Sequence, residues 1–235
     1  MQQELGFFNE YYSKFDNSID QINYKYDHTF RVINYAKKIA KSLDLNEEDF
    51  NKVCVCALFH DIGRFEQFTK YKTFEDLNSV DHGDLGEKIL KEEGYTDNEI
   101  LLAVKYHNKY SVPEDLTERE KLFTNIIRDA DKLDILFAQG FKNKDEEYIY
   151  YDYVIKSIRK GEIIDSKKIV NERKSDVLKL LRLIAFVYDF NFKKSLDIIK
   201  EGNIINKKFD LILDKFDKKE IKDLKVIVNN YLNKC

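Results

Sequence analysis

The sequence predicts an all-helical chain in two parts, on three observations. Its 235 residues include one Pro and eight Gly, too little turn punctuation for a β architecture and favourable to helices. Along most of the chain the apolar residues recur with a period near 3.6 rather than two. Hydrophobic residues make up 43% and aromatics 14%, enough to bury a sizeable core and to exclude wholesale disorder.

Taken in order, the first predicted helix covers residues 26–43. A second covers residues 48–60 and ends at Gly63, a residue that suits the left-handed turn after a helix. Residues 64–80 (RFEQFTKYKTFEDLNSV) read as an irregular, aromatic-rich loop, with Phe65, Phe68, Tyr71 and Phe74 as pocket wall or core. A third helix starts near Asp81, its expected N-cap, and stops at Gly94. Thr96-x-x-Glu99 and Thr117-x-x-Glu120 have the form of capping boxes, opening helices to about His107 and through Asp131 towards Gln139. Gly140 and the run KNKDEE mark the expected boundary between a domain of residues 1–140 and a C-terminal helical segment, residues 141–235. That segment carries amphipathic stretches at 177–188 and 209–232. It packs on the core or mediates oligomerisation, a homodimer through the apolar run 180–190 being the alternative to burial.

Charge and cysteine usage narrow the class. Residues 1–140 carry 18 Lys and Arg against 27 Asp and Glu, and residues 141–235 carry 22 against 16. The basic second part could attract nucleic acid, but lysines solvating helix faces are the favoured reading. The longest apolar run, residues 53–59, is far short of a membrane span, and the N-terminus lacks the pattern of a signal peptide. Three cysteines, with Cys54 and Cys56 inside an apolar run, make no disulfide framework. A soluble, cytoplasmic protein is expected.

The four histidines carry the chemistry. His28 shares a stripe with Val32, Tyr35, Ala36 and Ile39; His60 and Asp61 continue the stripe of Val53, Cys54, Ala57 and Leu58. His82 heads Leu85, Gly86, Ile89 and Leu90, His107 closes the Ile100, Ala103, Val104 face, and Asp131 extends Phe123 and Ile127. At these spacings each polar residue faces inward. One such histidine alone reads as a hydrogen-bonded core residue. Burying so many ionisable groups separately is costly, and a shared centre of Mn, Fe, Co, Ni or Zn satisfies all of them together.

In order these residues run His…His-Asp…His…His…Asp, with Phe59-His60-Asp61-Ile62-Gly63-Arg64 at the centre and Asp-Ala-Asp-Lys-Leu-Asp at 129–134. Over residues 20–140 the chain resembles the HD-domain superfamily of metal-dependent phosphohydrolases, an all-α fold whose ligands come from separate helices. The resemblance implies two divalent transition-metal ions: one held by His28, His60, Asp61 and Asp131, a second by His82 and His107, with Asp61 bridging. Asp129 is the second choice to Asp131. It further implies that a hydroxide between the ions attacks phosphorus in a small phosphate ester, a nucleotide being the favoured substrate. Arg64 and Lys132 are expected beside Asp61 in catalysis, and Arg64, Lys109 and Lys132 on the substrate phosphate. The Gly-Tyr-Pro signature of the cyclic-dinucleotide branch is missing, since Thr96 follows Gly94-Tyr95. Two alternatives remain: a di-iron oxygenase with the same ligand order, and a non-catalytic nucleotide sensor.

Overall fold

The computed structural model describes residues 1–138 and 147–235. Among these residues the secondary structure is helical throughout, without strands, as expected. The chain divides into two compact units, Met1–Asp134 and Ile135–Cys235. The expected boundary at Gly140 and most of the KNKDEE run lie outside the described residues.

The first unit contains α1 (Gln2–Ser13), α2 (Asp20–Ser42), α3 (Glu47–Phe59), α4 (Gly63–Tyr71), α5 (His82–Glu92), α6 (Asn98–Tyr106) and most of α7 (Glu118–Ala138). Helix α2 lies along α3, α5 along α6, and α4 against α5. Their shared core is built from Val32, Ala36, Ile39, Val53, Ala57, Phe59, Ile62, Leu90, Val104, Phe123 and Ile127, all essentially inaccessible to solvent. Cys54 and Cys56 are buried free thiols, and burial pushes both up from the usual thiol range. Helix α1 has no counterpart in the predicted elements. It adds Phe8, which packs on Tyr26, Phe30 and Phe65.

Several expectations need correction. Residues 64–80 are not loop throughout, because α4 occupies their first half. Its inward face carries Gly63, Phe65 and the fully buried Gln67, so a polar residue stands where the apolar repeat would be read. Gly63 is not a left-handed turn; it opens α4 in helical geometry, and among the described residues the positive-φ glycines are Gly94 and Gly161. What Gly63 supplies is close approach: a Cβ there would meet His82 O at 2.4 Å and Gly86 N at 2.9 Å. The cap of α6 is Asp97, whose carboxylate accepts from Glu99 N and Ile100 N, rather than Thr96. By contrast the Thr117 and Glu120 box closes as expected, Glu120 Oε2 accepting from Thr117 N at 2.7 Å and Thr117 Oγ1 from Glu120 N at 3.2 Å. The first predicted helix begins earlier, at Asp20.

The second unit contains α8 (Asp152–Lys160), α9 (Asp176–Ile184), α10 (Lys193–Glu201), α11 (Ile204–Lys215) and α12 (Lys219–Lys234). The amphipathic stretch at 209–232 is therefore two helices, parted at Phe216–Lys218 where the backbone becomes extended. The stretch at 177–188 is α9 followed by a tighter 3-10 turn, Ala185–Asp189. Leu180, Leu181, Ile184 and Val187 are buried with Val154, Ile158, Phe209, Leu224 and Val228, so the apolar run lies mostly in the interior of this unit. No described helix is long and apolar enough to cross a membrane.

Candidate metal centre

Five helices of the first unit deliver the predicted residues to one buried place. His28 sits a third of the way along α2, His60 follows α3, His82 opens α5, His107 follows α6, and Asp131 lies on α7. His28, His60, His82 and His107 are at most 3% exposed, and Asp61 is 2% exposed. Two groups of three can each hold an ion: His28, His60 and Asp131, and Asp61, His82 and His107, with donor atoms within 4.8 Å of one another. We refer to these as the first and second triads.

Hydrogen bonds at the far side of each ring decide what the near side offers. His60 Nδ1 lies 2.8 Å from Ala57 O and His107 Nδ1 2.7 Å from Val104 O. His28 Nδ1 lies 2.7 Å from Asp134 Oδ2, and His82 Nδ1 lies 2.7 Å from Asp76 Oδ2. Carbonyl and carboxylate oxygens only accept, so each Nδ1 carries the hydrogen and donates it. Whenever the ring is neutral, Nε2 is then the lone-pair nitrogen, the form that binds metals. These Nε2 atoms face one another: His28 and His60 at 3.3 Å, His82 and His107 at 3.0 Å. Between two neutral rings at that range the lone pairs repel unless a cation, a proton or a metal ion, lies between them.

The carboxylates complete the pattern. Asp131 Oδ1 is 3.0 Å from His28 Nε2 and 3.9 Å from His60 Nε2. Asp61 divides its oxygens between the triads. Its Oδ2 is 3.4 Å from His28 Nε2 and 3.6 Å from His60 Nε2, whereas its Oδ1 is 3.3 Å from His82 Nε2 and 3.6 Å from His107 Nε2. Ligands about 2.0–2.2 Å from a common ion stand roughly 3–3.5 Å apart, so the donor set fits the group that the sequence implies. Asp129 is buried on α7 but belongs to neither triad.

The electrostatics agree. Burial, only partly offset by Asp61 and Asp131, pushes His60 down to about 3, and burial with the Arg64 charge pushes His82 down to about 4. Both rings are therefore neutral across the physiological range. His28 goes the other way: burial and Lys25 oppose its charge, but hydrogen bonds to Asp131, Asp134 and Asp61 prevail and raise it to about 10. Asp61 is held well below the usual carboxylate range against its burial by Lys25 and the surrounding imidazoles.

Several residues around the centre have no role in the sequence reading, where Asp134 stands only as an alternative to Asp131. Lys25, one turn before His28 on α2, is buried and places Nζ 2.6 Å from Asp61 Oδ2. Asp134 joins His28 to Arg31, whose Nε donates to Asp134 Oδ1 at 2.8 Å. Asp76 accepts from His82, Arg64, Gln67 and Asn108. Arg128 on α7 donates to Tyr106 O at 3.2 Å and to Lys109 O, closing the carbonyl end of α6 beside His107. Asp76, Asp81 and His82 form a further group of metal-ligand types, but there Nδ1 of His82 is already donating to Asp76.

The three predicted substrate cations are placed differently. Arg64 Nη1 donates to Gln67 Oε1, Phe74 O and Asp76 Oδ1 at 2.7, 2.7 and 2.9 Å. Its Nε is buried with no acceptor and faces Asp61 Oδ1 at 3.5 Å. Lys109 pairs with Asp81 at 2.6 Å and Asp84 at 3.0 Å, at the start of α5, where Asp81 is the cap as expected. Lys132 is half-buried on α7, next to Asp131.

Comparisons with known proteins point the same way. Residues 26–136 match the HD domain family. Over 110 residues the chain is 31% identical to the symmetrical bis(5'-nucleosyl)-tetraphosphatase of Staphylococcus aureus, a match covering 42% of this chain and 54% of the relative. The chain thus spans about half the length of the curated relative it matches. No solved structure matches it. The match interval holds His28, the His60-Asp61 pair, His82, His107 and Asp131, which the fold gathers at one buried centre. Residues 26–136, a little under half of the chain, are thus similar to the HD domain family.

Proposed function

We propose that the chain is a metal-dependent phosphohydrolase that cleaves a phosphoester bond of a nucleotide or a related small phosphate ester at a centre of two divalent ions. The observation that carries this reading is the sharing of Asp61 between two pairs of facing imidazole nitrogens. One pair would make an ordinary mononuclear site; two pairs joined by one carboxylate make a binuclear one. Such a pair of ions supplies an activated water near neutral pH and disperses charge on the phosphoryl oxygens. His28, His60 and Asp131 hold one ion, His82 and His107 the other, and Asp61 both; Mn, Fe, Co, Ni and Zn all suit this nitrogen and oxygen set.

The chain's own residues do the rest. Arg64 is braced by three acceptors at Nη1, which leaves its Nε–H directed towards Asp61 with nothing to receive it. A buried donor in that state costs about 1–3 kcal/mol, and a phosphoryl oxygen at the centre would accept from it. Lys25 brings a second fixed positive charge to the same carboxylate, and Lys132 follows Asp131 in sequence on α7. Lys109 would have to leave Asp81 and Asp84 to meet a phosphate. Arg64 and Lys25 would oppose bound metal ions but favour a phosphate anion beside them, which is the preference a phosphohydrolase needs.

The relative acts, by its name, on dinucleoside tetraphosphates, so that class and simple nucleotides are the first substrates to test. The metal-free chain, reloaded with each of the five metals in turn, is assayed by chromatography for nucleotide and phosphate release. Metal-dependent release, reduced at least about a hundredfold in Asp61→Ala, is the expected result. Bound metal with no turnover across the panel would overturn the reading, and oxygen consumption by an iron-loaded chain would replace it with the oxygenase.

A further inference from the structure

The four imidazoles are not held alike. His60 and His107 donate from Nδ1 to a carbonyl three residues back, so the helical backbone itself sets their tautomer and direction. His28 donates to Asp134, one residue of the long helix α7. His82 alone of the four donates to a residue between helices: Asp76, in the short 3-10 turn Asp76–Asn78 that links α4 to α5. That connection is in turn fastened to α4 by side chains. Arg64 donates to Phe74 O and Asp76, and the amide of the buried Gln67 donates to Asp76 Oδ1, Ser79 Oγ and Val80 O at 2.8, 2.9 and 2.9 Å. Asn108, next to His107, donates to Asp76 Oδ2 at 3.1 Å. One carboxylate thus meets side chains from α4, α5 and the end of α6.

We propose that Asp76 is the positioning residue of the second triad, and that the second ion is bound only while the 72–81 connection is docked on α4. Without Asp76, the polar neighbour left to His82 Nδ1 among the described residues is the Asn108 amide nitrogen at 3.2 Å, a donor that favours the opposite tautomer, in which Nε2 no longer faces His107 as a lone pair. The same carboxylate braces the Arg64 guanidinium, so the second ion and the phosphate-binding donor are assembled together. The first triad takes no part in this arrangement and keeps its ion. This inference rests on the two-ion reading above.

The test uses the full chain. Wild type, Asp76→Asn, Asp76→Glu and Asp134→Asn are titrated with zinc and their ions counted. In parallel, long-range proton–nitrogen spectra of the metal-free proteins read the tautomers of the four imidazoles. Wild type is expected to bind two ions. Asp76→Asn should bind the second about 10–100-fold more weakly and the first within about twofold, with His82 alone passing to a tautomer mixture. Asp76→Glu should recover part of that loss, and Asp134→Asn should weaken the first ion instead. Unchanged His60 and His107 signals show that the variants are folded. Two ions in wild type, with equal loss of both or of neither in Asp76→Asn, would overturn this inference alone. Fewer than two in wild type would overturn it together with the two-ion reading.

Discussion

Each imidazole of the centre is anchored by its far nitrogen and presents its near one, while His28 is additionally ringed by Asp131, Asp134 and Asp61, which hold it protonated up to about pH 10. A metal ion entering the first triad has to displace that proton. Metal loading at pH 7–8 should therefore release close to one proton from His28, and affinity for that ion should rise about tenfold per pH unit below 10. Calorimetry in buffers of different ionisation enthalpy measures this; pH-independent binding at the first triad would contradict it. Lys25 gives a second residue-scale prediction with opposing signs. Its ammonium, 2.6 Å from Asp61 Oδ2, repels metal and attracts phosphate. Lys25→Met should bind metal at least as tightly as wild type, yet lose tenfold or more in kcat/KM, as read by titration and steady-state kinetics. Why the sequence showed the ligands and not Lys25 is physical. Histidines on apolar stripes stand out, whereas a lysine one turn before His28 is indistinguishable from one whose stem lies along the core while its head reaches water.

Helices α4 and α5 cross closely enough that Gly63 has no room for a side chain: its Cβ would fall 2.4 Å from the carbonyl of His82, a backbone atom that cannot swing aside. Gly63→Ala should cost about 1–3 kcal/mol through overpacking and weaken the second ion more than the first, measured by thermal melts with and without metal. A variant as stable as wild type would show that the two helices are not in contact as described. Asp97→Ala removes the cap of α6 and should cost about 1 kcal/mol, a loss that Thr96→Ala should not reproduce. The helices that carry ligands were legible because their apolar repeat is long and carries the histidines with it. Helix α4 was not, because Gln67 occupies its inward face and spends its amide on the 72–81 connection. Asp76 lies where there is no repeat to read, so its role exists only in three dimensions. The break at Phe216–Lys218 was missed for the opposite reason: the apolar pattern of α11 runs on into α12 with no Gly or Pro between them.

Across the first unit, long-range ion pairs join helices that the core already packs. Arg119 on α7 meets Asp49 of α3 at 2.7 Å and Glu99 of α6 at 2.7 Å, Lys52 pairs with Glu99, and Lys105 meets Glu87 of α5 at 2.8 Å. Hydrogen bonds and neighbouring cations, acting against burial, hold Asp49, Glu87 and Glu99 below their ordinary values. Carboxylates shifted down in the folded state contribute stability above their unfolded values, near pH 4–4.5, and lose it as pH falls through the lower folded values. These carboxylates should therefore steepen the fall in melting temperature below about pH 5, in addition to the slopes that the shifted histidines impose at higher pH. Arg119→Ala should make the fall shallower, since the shifts of Asp49 and Glu99 are lost with it; an unchanged acid limb would contradict this. At this scale the all-helical class and the similarity to HD domains were legible from composition, period and the order of the histidines and aspartates, while the placement of the division after Asp134, partway along α7, had no marker in composition.

The central claim is that six side chains from this one unit hold two metal ions. Elemental mass spectrometry on the purified chain, reloaded with a single divalent metal and freed of excess, tests it most directly, with His82→Ala alongside. The account predicts close to two ions per chain, falling to one in the variant. One ion or fewer in wild type, or a variant that keeps both, would contradict it.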